Sequence, residues 1–424
     1  TGLESNGSYT SDLIYRLQEA VSRRPDVKIW NLSLGGVVGC DEQEFSEFAQ
    51  ALDALSAKHG VLFVVAAGNY TDEPRRGWPV TKHLQGDRLS SPGDSVTALT
   101  VGALAQAGDH STIVQAGEPA PYSRRGPGPV HTVKPEITHC GGNMHHPFDF
   151  GACSTTVLAP EGHSHQLSGT SFSAPIASAL CAHTWQALSG HQAFNPSPAL
   201  VRAAMIHAAQ LENREYSAME RQYYGVGLPQ DVISTLYDRA DSFTLLFEAE
   251  LIPGAMRWRK TPYPIPASLR LNGKFRGEVI ITAAYQPVLD ANWGAEYVRT
   301  NLELSFGVID QNSNNISGKV PVEMEKGQHS FEKQLIENGG KWSTVKLHRK
   351  TFPEGTAGDV WALQAKLQTR AAQDKPDFPI KAYIFVTLRS VDGDTAVHTD
   401  GLNALRATQW IQQSLPVRVP VRAN

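Results

Sequence analysis

The run Val61-Leu62-Phe63-Val64-Val65-Ala66 is apolar at every position. A strand with one face in water alternates. One that is apolar on both faces is covered on both, the condition of a parallel sheet packed between helices. Before it, Glu44 to His59 reads as an amphipathic helix with Phe45, Phe48, Leu52 and Leu55 on one face and Gly60 as its C-terminal stop. Val27 to Leu34, ending in Gly35-Gly36, and Thr97 to Ala103 read as further strands, and Leu13 to Val21 has helical spacing. This alternation predicts an α/β fold, a parallel sheet flanked by helices, with function at the carboxyl ends of the strands. Two more helical stretches follow, one from Ser171 to about Leu188 and one from Pro198 to Ala209. Pro175 is expected in the opening turn of the first, where its missing N–H has no intrahelical acceptor.

The pattern changes near Asp241. Phe243 to Phe247, Gly277 to Ala283, Leu302 to Phe306 and Ala382 to Leu388 are strand-like runs separated by Gly, Asn and Pro turns. They predict an all-β C-terminal domain, a sandwich or jelly roll. A chain of 424 residues fits two domains, residues 1–240 and residues 241–424.

Composition narrows the class. The formal net charge is -4, so no basic stripe marks a nucleic-acid footprint. No apolar run approaches the ~20 residues that span a bilayer. The chain opens Thr1-Gly2-Leu3-Glu4, neither an initiator methionine nor a signal peptide, and is expected to begin inside a longer gene product or after processing. Four cysteines are too few for a disulfide scaffold. Cys181 reads as a buried thiol, while Cys140 and Cys153 either pair or stay free. This usage favours a reducing, cytoplasmic compartment, with secretion as the alternative.

Three segments lie at element ends: Asn31-Leu32-Ser33-Leu34-Gly35-Gly36, Val65-Ala66-Ala67-Gly68-Asn69, and Ser168-Gly169-Thr170-Ser171-Phe172-Ser173-Ala174-Pro175. The last delivers Ser171 to a helix start, where unpaired N–H groups and the positive dipole end favour a developing oxyanion. Acyl transfer needs such a nucleophile and donors aimed at the tetrahedral oxygen. Asn69, at a strand end, and the Ser171 N–H are candidate donors.

In their order these segments resemble subtilisin-like serine peptidases. Ser91-Pro92-Gly93-Asp94-Ser95 before Val101-Gly102-Ala103, Tyr122-Ser123-Arg124-Arg125-Gly126-Pro127, Lys134-Pro135-Glu136-Ile137 and Gly225-Val226-Gly227 add to the likeness, which covers roughly Ser8 to Asp238. The resemblance implies that Ser171 is the nucleophile and Asn69 the oxyanion donor. It implies that Ser33, Leu34 and Gly35 pair with an extended substrate backbone, and that Ala66, Ala67 and Gly68 wall the pocket before the scissile bond. Protein or peptide substrates are implied, with no cofactor. A structural calcium site is not readable. Some relatives work beside ATPase partners, a partnership that no feature of this chain shows.

The chain departs from the family where the family places its Asp in a D-[ST]-G turn and its His in an H-G-T-H helix start, both ahead of the Ser33 strand. Neither is present, and His59-Gly60 merely closes a helix. The base and its orienting acid are therefore expected from an N-terminal segment of the same gene product, and this chain alone is expected to be inactive. The alternative is an inactive module that binds peptides or partners. An unrelated α/β hydrolase is disfavoured, because its serine sits in a G-x-S-x-G elbow.

Other clusters have plainer readings. His139-Cys140, His145-His146, Cys153, His163 and His165 match no standard zinc spacing and read as a loop with solvated histidines. Their place in the chain also argues against a replacement base. Arg75-Arg76 and Arg124-Arg125 read as solvated or paired surface charges. Asp392-Gly393-Asp394 reads as a hairpin turn, its spacing being incomplete for a calcium loop.

Overall fold

A computed structural model describes residues 7–410 apart from 81–83, 85, 191–194, 238, 255–256, 311–312, 321–335, 375, 377 and 409. The chain forms two compact units. The first is built from Thr1–His183, Glu212–Gln230 and Ala291–Tyr297, the second from Thr184–Leu211, Asp231–Asp290 and Val298–Asn424.

In the first unit β1 (Ile29–Leu32), β2 (Leu62–Ala66), β3 (Leu99–Leu104) and β4 (Ile137–Cys140) form one parallel sheet in the order β1-β2-β3-β4. Every residue of β2 and β3 is buried, as the apolar run predicts. Helices α1 (Gly7–Arg23) and α2 (Glu47–His59) cover one face, and Val21, Phe48, Leu52 and Leu55 share a core with Leu32, Phe63 and Val65. Gly60 takes φ 62° and donates to the Ser56 carbonyl, closing α2 in the left-handed cap that glycine favours. The helix starts at Glu47, three residues later than its apolar pattern. Ser46 caps it by accepting from the Ala49 N–H, while Asp41 Oδ1 accepts from the N–H groups of Gln43 and Glu44 and holds them in a turn.

The α2 residue Asp53 is fully buried and accepts five hydrogen bonds, from the Ser95 and Thr97 hydroxyls, the Val96 and Thr97 N–H groups and the Tyr297 hydroxyl. Burial raises its pKa against those donors. Tyr297 comes from the short Ala291–Tyr297 segment and packs its ring 5.0 Å from Phe45.

The first unit also holds a hairpin of β5 (Thr155–Leu158) and β6 (Ser164–Leu167), which leads into α3 (Thr170–Ser189). Pro175 is the sixth residue of α3 rather than part of its opening turn. Its ring removes the N–H that would meet the Ser171 carbonyl, and the Ser33 hydroxyl donates there instead, at 3.1 Å.

The second unit contains helix α4 (Pro198–Glu212), and later in the chain two antiparallel sheets. One orders β13 (Val345–Ala357), β10 (Lys274–Tyr285), β15 (Ile380–Arg389) and β7 (Ser242–Leu251), with β9 (Arg270–Leu271) on β10. The other orders β12 (Ile316–Val320), β11 (Thr300–Ile309), β14 (Trp361–Thr369) and β8 (Trp258–Lys260). Phe247, Val279, Ile281 and Ile384 of the first sheet share one core with Leu304, Phe306, Trp361 and Leu363 of the second, which makes the pair a sandwich. The His207 ring of α4 lies between the hydroxyls of Thr282 and Thr387, 2.7 Å from each, and stacks on Phe385.

Two local expectations are corrected. Arg76, Arg124 and Arg125 are buried, not surface charges: Asp87, itself fully buried, pairs with Arg125 at 2.6 Å and Arg76 at 3.7 Å, and Arg124 is taken up by backbone carbonyls. Adjacent arginines read as solvated because their partners are distant in sequence. Asp392-Gly393-Asp394 joins β15 to helix α5 (Val397–Arg406), not strand to strand; Asp392 pairs with Arg276, and Asp394 accepts from the Ala396 N–H.

Candidate active site

Ser171 is the second residue of α3, in the first turn, where N–H groups lack intrahelical acceptors. The turn before it is braced from beneath. Gly169 donates to the Gly141 carbonyl, the Tyr122 hydroxyl reaches the carbonyls of Gly141 and Gly142, and the Ser168 hydroxyl reaches that of Asn143. Tyr122 belongs to the segment read as motif from sequence, and its bracing of the turn explains a buried tyrosine there.

Asn69 is exposed at the end of the stretch that continues β2. Its Oδ1 accepts from both the Thr170 N–H and the Thr170 hydroxyl, each at 3.0 Å. The side chain therefore caps α3 one residue before Ser171, and this fixes which end of the amide is the donor. A Cβ on Gly169 would lie 3.3 Å from Asn69 Nδ2, so the glycine leaves room for that NH2 group beside the serine.

Ser33, Leu34, Gly35 and Gly36 follow β1, half-buried; Ala66 ends β2, and Ala67 and Gly68 follow it, all three buried. Ser90 and Ser91 join the two stretches, as Gly36 donates to the Ser91 carbonyl at 2.8 Å and Ser90 donates to that of Ala67 at 3.1 Å. The approach is close: a Cβ on Gly35 would meet Ser90 Oγ at 3.0 Å, and one on Gly68, which has φ 98°, would meet it at 2.2 Å. The structure thus brings all eight sequence-selected residues to the carboxyl ends of β1 and β2 and the start of α3. The Ser171 hydroxyl donates to the Ser33 carbonyl at 3.4 Å, and among the described residues no histidine bonds to it.

The histidine-cysteine stretch resolves into separate roles. His146 and His163 are exposed outside helices and strands, as expected of a loop, whereas His165 is exposed on β6 and His139 and Cys140 belong to β4. His145 is held at both nitrogens, by the Ser111 hydroxyl at 2.7 Å and the Cys153 N–H at 3.2 Å, and Ser111 in turn donates to Asp109. His139 accepts from the Cys140 N–H, and burial lowers its pKa to about 4. Cys140 and Cys153 are both free thiols, as are Cys40 and Cys181. Among the described residues no three His, Cys, Asp or Glu side chains gather to hold a metal ion, and no helix is long and apolar enough to cross a membrane.

Sequence reasoning missed Arg124, Asp87 and Ser90. Arg124 stands in a motif segment, but its burial rests on four backbone carbonyls that leave no mark in the sequence.

The chain is 30% identical over 152 residues to an uncharacterized protein, y4bN, of Sinorhizobium fredii (strain NBRC 101917 / NGR234), a match that covers 30% of this chain and 35% of that protein. The chain thus spans about a third of the length of the curated relative it matches. Among solved structures, the prenylagaramide maturation protease PagA is 21% identical, with 53% of this chain and 68% of that one covered and a TM-score of 0.35. A lanthipeptide protease is 17% identical, with 52% and 65% covered and a TM-score of 0.38. The model of the subtilase family, peptidase family S8, matches residues 1–227, more than half of the sequence and all three segments around Ser171; this chain belongs to the subtilase family.

Proposed function

We propose that this chain supplies the nucleophile, the oxyanion donors and the substrate cleft of a serine endopeptidase. Ser171 Oγ attacks the scissile carbonyl as its proton passes to a base; the tetrahedral intermediate collapses to an acyl-enzyme and releases the amine, and water then hydrolyses the ester. The Ser171 N–H and Asn69 Nδ2 receive the oxyanion. Ser33, Leu34 and Gly35 hold an extended peptide, and Ala66, Ala67 and Gly68 line the pocket for the residue before the scissile bond. A histidine and its orienting aspartate come from an N-terminal segment of the same gene product. The observation that carries the reading is the capping of α3 by Asn69 Oδ1, which leaves the amide's NH2 end as the donor beside Ser171.

A second reading is a peptide-binding module without catalysis. It is favoured by the Ser171 hydroxyl's bond to the Ser33 carbonyl, the hydrogen-bonding of a serine at rest. A fluorophosphonate probe separates the two. The product of the whole gene is expected to label, and Ser171→Ala to abolish labelling, while this chain alone stays unlabelled. Absence of labelling in the whole gene product would sink the peptidase reading and leave the binding module.

A further inference from the structure

We infer that Arg124 is the positioning residue of the oxyanion site, holding the backbone of Asn69 and the lips of the cleft with a single guanidinium; the inference rests on the reading of Asn69 as oxyanion donor. Arg124 is 2% exposed. Its Nε donates to the Asn69 carbonyl at 3.1 Å, Nη1 donates to the carbonyls of Gly86 at 2.7 Å and Arg88 at 2.8 Å, and Nη2 donates to that of Val37. One planar group thus reaches the end of the β2 stretch, the loop after Gly35-Gly36 and the segment before Ser90. The main chain adds to the hold. Arg124 N–H donates to the Gly68 carbonyl at 3.1 Å, and Tyr70 N–H donates to the Tyr122 carbonyl at 2.7 Å, so Asn69 is flanked on both sides. The stem packs on Gly68, where a Cβ would come within 2.8 Å of Arg124 Cδ.

Burying a guanidinium is costly, and hydrogen-bonding it to carbonyls offsets that cost only with good geometry. Arg125 and Arg76 pair directly with Asp87; Arg124 gives its donors to four carbonyls, with the charges of Asp72 and Asp87 acting on it without a direct ion pair. Such an arrangement fixes positions, because the fork of five donors is rigid. A lysine carries the same charge as one compact ammonium and cannot span Asn69 and Val37 together. Oxyanion stabilisation depends on where the donor sits, and misplacement by ~1 Å costs roughly 10²-fold in rate. Arg124 does not touch substrate; it acts through Asn69.

Two measurements test this. In the folded chain, Arg124→Lys is expected to speed amide hydrogen exchange of Thr170, whose N–H is bonded to Asn69 Oδ1, about tenfold or more, with β3 and β4 unchanged. Unchanged exchange at Thr170 overturns the inference, and so does acceleration spread equally over β3 and β4, which would mark general destabilisation. In the whole gene product, Arg124→Lys is expected to lower kcat by roughly 10- to 100-fold, yet to add less than about twofold in an Asn69→Ala background. Additive losses would overturn positioning through Asn69. If the whole gene product lacks Ser171-dependent labelling, the peptidase reading fails by itself, and the exchange measurement still decides whether Arg124 orders Asn69.

Discussion

Ser33 and Ser171 exchange hydrogen bonds: the Ser33 hydroxyl donates to the Ser171 carbonyl at 3.1 Å, and the Ser171 hydroxyl donates to the Ser33 carbonyl at 3.4 Å. The first bond exists because Pro175 has no N–H to offer that carbonyl. Ser33→Ala is therefore expected to destabilise the chain by about 1 kcal/mol. In a Pro175→Ala background the helix recovers its own donor and the cost of Ser33→Ala should shrink. Denaturant unfolding of the four proteins measures the coupling, and equal costs in both backgrounds would refute it.

Asn69 has two separable ends. Asn69→Ala removes the cap on Thr170 and should cost about 1 kcal/mol of stability. Asn69→Asp keeps an acceptor for Thr170 while deleting the NH2 donor, so stability is retained. If Asn69 serves the oxyanion, both variants of the whole gene product lose ~10²–10³ in kcat, a magnitude carried over from a subtilisin oxyanion asparagine. Stability by thermal melt and kcat by peptide hydrolysis should thus part company only in Asn69→Asp.

Gly68 meets two constraints at once, a φ of 98° and a Cβ position 2.2 Å from Ser90 Oγ. Gly68→Ala is expected to cost roughly 2–4 kcal/mol. Adding Ser90→Gly relieves the contact with Ser90 but neither the backbone strain nor the 2.8 Å approach to Arg124 Cδ, and should return only part of the loss, as read by unfolding midpoints.

Acid should weaken the protein through its buried histidines. Burial lowers His207 to about 3, with the Arg389 charge adding to it; His348 falls to about 3 by burial beside Lys346, and His139 to about 4. An unfolded histidine titrates near ~6.5, so between there and the folded values the unfolded chain binds more protons. Stability is then greatest above pH ~6.5 and falls as pH drops towards ~3. His207→Gln removes one titrating group, and its unfolding free energy should vary less steeply with pH than that of the parent between pH 7 and 4.5. An unchanged slope would show that His207 is not a neutral buried group.

Much of this was legible in sequence, for definite reasons. β2 declared itself because a strand covered on both faces needs no polar residue, and α2 because its stripe of Phe48, Leu52 and Leu55 ends in a glycine at positive φ. Ser171 and Asn69 were readable because each lies in a motif at an element end. The opposite held for β13, whose Lys346 and His348 look like surface residues. Both are buried, and the Lys346 ammonium is held by Asn301 and the Gly340 carbonyl, distant partners that no local pattern announces. Arg124 was hidden for the same reason. A charged residue reads as exposed until the groups that accept its hydrogen bonds are known, and here they come from three separate stretches of backbone.

The Ala291–Tyr297 segment, which brings Tyr297 to Asp53, bears on how the gene can be cut. A stop codon placed after position 240 deletes one of five donors to a fully buried carboxylate some 190 codons upstream, and exposes Phe45 where Tyr297 had packed. An expression clone meant to isolate the serine-bearing unit has to carry those seven codons with it, spliced on by a linker, if α2 is to keep its anchor.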